Sequence, residues 1–307
     1  MAQLIKLQDY ISRYEWNIYR YPSQYIRMKQ DQWKKLHQVW LHQDKEESVE
    51  HSEDSSSAFD KFKSFIKRNN DHTEELDNEN EQPSLPESED RLRHYFLDKL
   101  FPLQLKWASS TVTNVSFTDR SYYQDETLKF FLQRFPDTYL LMYYPIFNIK
   151  KAPIDGEIIL ISPVGIEIIY LIEANAHAKI VADEERTWLI KDEDKETKIL
   201  SPMIALKRTD QIIRSILHTL NVDFPVKKVV LSRKNIIEFH TEPYNTKIIG
   251  KHAYEKWFNE KRNLVSPLKN TQLKAAEALL KNCQTTAVKR PEWEEDTTNF
   301  SMDYEAD

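Results

Sequence analysis

Only three glycines and one cysteine occur among the 307 residues. A lone thiol, Cys283, excludes an internal disulfide framework and fits a reducing compartment. No apolar run approaches the roughly 20 residues that a membrane-crossing helix requires. The longest apolar region is interrupted by Pro163, Gly165 and Glu167. The opening stretch, MAQLIKLQDYISRYEW, lacks the unbroken apolar core of a secretory signal. A cytoplasmic chain without membrane attachment is therefore expected. Also missing are GxxxxGK[ST], GxGxxG, any CxxC pair and HExxH, which argues against P-loop nucleotide hydrolysis and zinc catalysis.

What is present is unevenly charged. The net charge of −6 divides into 16 acids and 5 bases over residues 43–90, seven acids and no bases over 292–307, and +12 elsewhere. A basic body flanked by acidic segments suits a nucleic-acid binder whose tails compete for its own surface. The same tails would serve equally to keep a sticky protein soluble. Residues 43–90 are polar and acidic enough to predict a disordered linker, apart from an amphipathic turn at 59–68.

Residues 4–21 set Leu4, Leu7, Ile11, Tyr14, Ile18 and Tyr21 at spacings of three and four, predicting a helical seam. A second helix after Pro22 carries Tyr25, Met28, Trp33, Leu36 and Trp40, interleaved with Arg27, Lys34 and Lys35. Such an aromatic stripe packs on the body or on a partner, including a second copy of the chain; stacking on nucleic-acid bases is the alternative. Helices are also predicted over 89–107, over 122–135 behind a Ser121–Gln124 capping box, from Pro202 to Leu220, and over 251–262 and 267–283. Strands are predicted over 138–149, 186–190, 197–200, 227–231 and 236–239.

On the helix after Pro202, Lys207, Gln211, Arg214 and His218 form a polar, mostly basic stripe, with Arg208 beside it. Lys207, Arg208, Gln211 and Arg214 are candidate phosphate contacts; a plain solvated face explains them as well. His51 and His72 have no metal-ligand partners at the usual spacings.

The densest signal is residues 153–175, PIDGEIILISPVGIEIIYLIEAN, which hold two of the three glycines. Two apolar runs flank Pro163-Val164-Gly165, a connector suited to a three-residue hairpin loop. Pairing Ser162 with Ile166 would set Asp155 directly opposite Glu173. Carboxylates so placed repel unless a cation or a shared proton lies between them. Screening at the wet end of a hairpin is the plainer account.

An acid in a P-I-D context, a hairpin and an apolar strand ending in Glu resemble the layout of the PD-(D/E)XK nucleases. More narrowly, roughly Arg120 to Phe239 resembles the NERD (nuclease-related domain) family. Its parts here are Glu126 near a helix start, Asp155, Gly165, Glu173, Trp188, Ser201-Pro202 and the strand KKVVLS.

The resemblance implies an α/β fold: a mixed, restriction-endonuclease-like sheet flanked by helices. That domain would span 91–250, preceded by a helical segment at 1–42 and the linker at 43–90. C-terminal helices at 251–290 and an acidic tail at 291–307 would follow it. It also implies Mg²⁺-dependent DNA cleavage, with Asp155 and Glu173 as metal ligands and Glu126 assisting. Mg²⁺ favours oxygen ligands and activates bound water. The family's lysine two residues past the Glu is Asn175 here, and Lys150, Lys151 or Lys179 are the candidate replacements. An uncharged amide stabilises developing charge less well. Two readings follow: a Mg²⁺-dependent DNA endonuclease using Glu126, Asp155, Glu173 and Asn175, or a non-catalytic nuclease-like module that binds nucleic acid or a protein.

Overall fold

The computed structural model describes residues 1–46, 85–149, 152–183, 186–192 and 195–290. The bulk of the expected linker, the tail from residue 291, and Lys150 and Lys151 lie outside the described residues. In chain order the elements begin β1 (Gln3–Leu7), α1 (Arg13–Trp16), α2 (Tyr21–Glu46), α3 (Glu89–Trp107), β2 (Asn114–Val115) and α4 (Glu126–Arg134). Next come β3 (Leu140–Tyr143), β4 (Ile146–Ile149), β5 (Ala152–Asp155), β6 (Ile158–Ser162) and β7 (Gly165–Leu171). Then follow β8 (Lys179–Val181), β9 (Thr187–Asp192), β10 (Lys195–Leu200), α5 (Pro202–Thr219), β11 (Val226–Leu231), β12 (Ile236–Glu238) and β13 (Thr246–Ile249). The series closes with α6 (Lys251–Arg262), α7 (Asn270–Leu280) and β14 (Val288–Lys289).

The chain folds as mixed α/β around a six-stranded sheet in the order β1-β3-β6-β7-β11-β13. Strands β3, β6 and β7 run antiparallel in succession, whereas β1 lies parallel to β3, and β11 lies parallel to both β7 and β13. Every residue of β3 and β6 is buried, so both sheet faces are covered and these strands show no alternation. Helix α5 packs on β7 and β11 and meets α7, which lies on β6; α4 packs on β3 and α6 on β13. A second sheet, β10-β9-β8-β12, stands beside the first.

The helical seam expected over 4–21 is not what forms. Gln3–Leu7 is a strand, buried at all five positions. Burial on both faces removes the period-two signature, and Lys6 breaks up the apolar run. Lys6 itself is wholly buried, donating to Tyr10 O at 2.8 Å and Thr285 Oγ1 at 2.9 Å and pairing with Glu15. Helix α2 overruns the expected boundary at 42 and folds onto α3. Trp33 lies 5.3 Å from the Phe96 ring, and the Trp40 indole donates to Pro86 O at 2.7 Å. The aromatic stripe of α2 therefore packs on the protein's own body, and residues 85–90 at the foot of the expected linker are part of that contact.

The expected capping box also gives way. Arg120–Gln124 is a 3₁₀ turn capped by Asp119, and Asp125 rather than Ser121 caps α4 through Thr127 N and Leu128 N, both at 2.9 Å. An aspartate immediately ahead of the helix outcompetes a serine four residues earlier.

Candidate active site

Hairpin β6–β7 differs from expectation by one residue. Ser162 pairs with Gly165, so Pro163 and Val164 alone form the turn. The Ser162 hydroxyl fastens it, donating to Gly165 O at 2.9 Å and accepting from Val164 N at 3.3 Å. The ladder ends at Ile158–Ile169, and Asp155 pairs instead with Ile146 across the separate β4–β5 ribbon. The break falls at Gly156, whose N–H donates to Pro145 O at 2.8 Å. A Cβ on Gly156 would lie 2.9 Å from the Phe147 ring and 3.0 Å from Pro145 O, so the chain turns there only without a side chain. Asp155 is therefore not cross-strand to Glu173, since a one-residue slip reverses faces along a strand.

Glu173 finds another partner. Parallel strands β7 and β11 pair at a constant offset, from Val226 with Ile166 to Leu231 with Leu171. The ladder continues through Ile172 N to Leu231 O at 2.9 Å. Two residues further on, the same offset sets Glu173 beside Arg233. The guanidinium donates through Nε to Oε1 at 2.6 Å and through Nη2 to Oε2 at 2.8 Å, a bidentate fork, and Lys234 Nζ stands 3.7 Å from Oε2. Two residues later again the offset brings Asn175 to Asn235. The wholly buried Asn235 amide donates to Asn175 O at 2.6 Å and Ala178 O at 2.9 Å, while its oxygen accepts from Ala174 N at 2.8 Å. The strand ends are thus stapled together on both sides of Glu173.

Helix α4 covers this corner. Phe130 lies beneath Arg233, 4.6 Å from guanidinium carbon to ring centroid, and Glu126 is one turn earlier on the same helix face. Burial would raise the Glu173 carboxyl, but the bonds from Arg233 and the charges of Arg233 and Lys234 outweigh it and hold the group below the usual carboxylate range. The Glu173 bonds in turn raise Arg233 against the effect of burial, with smaller contributions from Tyr254 and Glu126. Glu173 thus bonds directly to a cation absent from the sequence expectation, and the charge of Glu126 acts on that cation only as a minor contribution.

Asp155 belongs to a neighbouring group. Burial pushes the Glu157 carboxyl up, Arg208 opposes from 3.9 Å, and the Asp155 charge adds to the rise. Tyr144 is pushed up to about 12 and Tyr170 is also raised, in each case by burial first and then by Glu157. Thr209 Oγ1 accepts from Glu157 N at 3.3 Å, tying this group to α5.

The remaining expected residues lie further out. The Asn175 side chain is exposed and donates to Asp192 at 2.5 Å, away from Glu173. On α5, Lys207, Arg208, Gln211 and Arg214 are all exposed. Arg214 is nevertheless engaged, with Asp210 at 2.9 Å and Val226 O at 2.9 Å. Lys179 pairs with Glu238 at 3.3 Å. Both Glu173 oxygens are occupied by Arg233, and among the described residues no three His, Cys, Asp or Glu side chains are grouped to hold a metal.

Arg233, Asn235 and Glu157 went unpredicted. Glu157 was in view within PIDGE. Arg233 and Asn235 follow KKVVLS at the offset that β7 and β11 share, and only the parallel register exposes them.

Fold and site together define a mixed α/β domain with an acid–guanidinium pair at the C-terminal ends of adjacent parallel strands, a usual place for a ligand crevice in open α/β sheets. No family model matches the chain, and no solved structure matches it. Over 115 residues, 34% of its length, the chain is 35% identical to a Geobacillus stearothermophilus protein named RNA 2',3'-cyclic phosphodiesterase. The aligned part spans 36% of that relative's length. Among the described residues no helix is long and apolar enough to cross a membrane.

Proposed function

We propose that this chain is a nuclease-related phosphodiesterase that hydrolyses phosphodiester bonds in nucleic acid at the corner formed by Glu126, Glu173 and Arg233, with Asp155 and Glu157 adjoining. The observation that carries this reading is the 35% identity over 115 residues to a protein named as an RNA 2',3'-cyclic phosphodiesterase. The element order supports it: helix α4, the antiparallel strands β3, β6 and β7, helix α5 and parallel strand β11 come in this order along the chain, with β4–β5 and β8–β10 inserted; Glu126 starts α4, Asp155 ends β5 and Glu173 follows β7. The exposed cations Lys207 and Arg208 on α5 would carry flanking phosphates.

In this reading Glu157, raised by burial, is suited to hold a proton for a leaving oxygen. Glu173, held ionised, engages the guanidinium in the free chain. Neither role calls on a metal, and magnesium enters as an arm of the test. Purified chain is incubated with single-stranded RNA, duplex DNA and a nucleoside 2',3'-cyclic phosphate, each with Mg²⁺ and with EDTA, alongside Asp155→Ala and Glu157→Gln. Product that disappears in either variant supports the reading. Absence of product from all three substrates, or product undiminished in both variants, overturns it.

A second reading rests on Arg233 filling both Glu173 oxygens while Asn175 turns to Asp192. In that case the domain binds nucleic acid without cutting it. Affinity would then fall steeply with salt, and no product would form.

A further inference from the structure

The charge that the sequence lacks at position 175 is present at the site from a different strand. Asn175 is neutral and donates to Asp192, while the Arg233 guanidinium lies flat against Glu173 with two parallel donors. We propose that Arg233 is the phosphate-binding residue of this site: its fork, held by Glu173 in the free protein, transfers to the two non-bridging oxygens of a substrate phosphodiester. This assignment rests on the phosphodiesterase reading above and adds to it the group that recognises the substrate.

Three features carry it. A phosphodiester presents two equivalent anionic oxygens on one atom, as a carboxylate does, so a guanidinium set for one is set for the other. The fork is preorganised, with the Phe130 ring beneath it at 4.6 Å and the backbone fixed by Asn235 two residues on. Both side chains keep 18% exposure, so a ligand can reach the pair without unfolding the corner. Exchange leaves the guanidinium neutralised by one monoanion in place of another. Glu173 then turns to Lys234, whose ammonium is already 3.7 Å away and largely solvated. Glu173 is accordingly an intramolecular competitor for Arg233, which distinguishes this role from a plain structural ion pair.

The experiment measures binding of short fluorescein-labelled single-stranded RNA and DNA to the full chain by anisotropy, with EDTA present. Arg233→Gln is expected to bind at least about tenfold more weakly than wild type, the scale of losing a charge-assisted fork. Arg233→Lys, which keeps the charge and loses the fork, falls between them, and Glu173→Gln binds more tightly than wild type. Equal binding by Arg233→Gln and wild type overturns the assignment. So does Glu173→Gln weakening binding as much as Arg233→Gln, the outcome for a pair that only holds the strand ends together. Thermal melts accompany each variant, and if Arg233→Gln does not fold, the comparison of Arg233→Lys with Glu173→Gln decides. A wild-type chain that binds and cleaves, with variants indistinguishable from it, removes Arg233 alone. A wild-type chain that neither binds nor cleaves removes the phosphodiesterase reading as well.

Discussion

Replacing Asn235 by alanine tests whether the strand ends at the site are held as described. The side chain is wholly buried and makes three bonds to main-chain groups: Ala174 N at 2.8 Å, Asn175 O at 2.6 Å and Ala178 O at 2.9 Å. Each such bond contributes about 1 kcal/mol net, so Asn235→Ala is expected to cost about 3 kcal/mol. Water entering the vacated space would recover part of that for the more open carbonyl of Asn175. Asn235→Asp preserves the shape and the acceptor for Ala174, but sets a negative oxygen against two carbonyls. It is therefore expected to cost at least as much as alanine. Urea unfolding at neutral pH reads both through the midpoint, with an unchanged m-value marking a native-state effect. A loss under about 1 kcal/mol for alanine, or a tolerated aspartate, refutes the staple, because that is the worth of a single such bond.

Glu157→Gln is expected to raise Tm at neutral pH. Burial lifts the carboxyl's folded-state pKa, so the stability it contributes is present below the unfolded value of about 4.3 and lost as pH rises through the folded one. The advantage of glutamine should therefore vanish in melts near pH 4, and a gain that is the same at both pH values would contradict the burial argument. Glu173 has the opposite sign: its depressed pKa gives stability above about pH 4.3 that fades as pH falls through the folded value, so Glu173→Gln should cost most at neutral pH and least in acid. Lys6→Met should lose about 3 kcal/mol in urea, part of it restored by adding Glu15→Gln, because Glu15, left with only the Thr285 hydroxyl, is then no longer a charge without its cation. Gly156→Ala should cost about 1–3 kcal/mol, since its Cβ would press on the Phe147 ring and Pro145 O; a neutral change would show that the bend relaxes freely.

Much of the fold was legible where periodicity and turn chemistry agree. Helices α3, α5 and α6, the β9–β10 hairpin and strands β11 and β12 lie within a residue or two of expectation, and Pro145 does part β3 from β4. Strand β1 was missed because burial on both faces leaves no alternation, and a buried lysine looks like a surface residue in a helical pattern. At the site, Glu126, Asp155 and Glu173 could be picked out as acids, but their grouping could not. It depends on a single residue of hairpin register and on the parallel offset between β7 and β11, neither of which is encoded locally. Arg233 is the clearest case. Sixty positions from Glu173, it becomes a neighbour only once two strands lie side by side.

Strand β1 has a consequence for the order of assembly. Residues 3–7 lie alongside 140–143, so β1, once synthesised, stays unpaired until well over a hundred more residues have been made. Parallel pairing across such a span is slow, since a long loop must close before any contact rewards it. During that wait an apolar segment with free edges stands open to chaperones or to misplaced strand partners, and replacing Leu4 or Leu7 should slow the last stage of refolding more than its first.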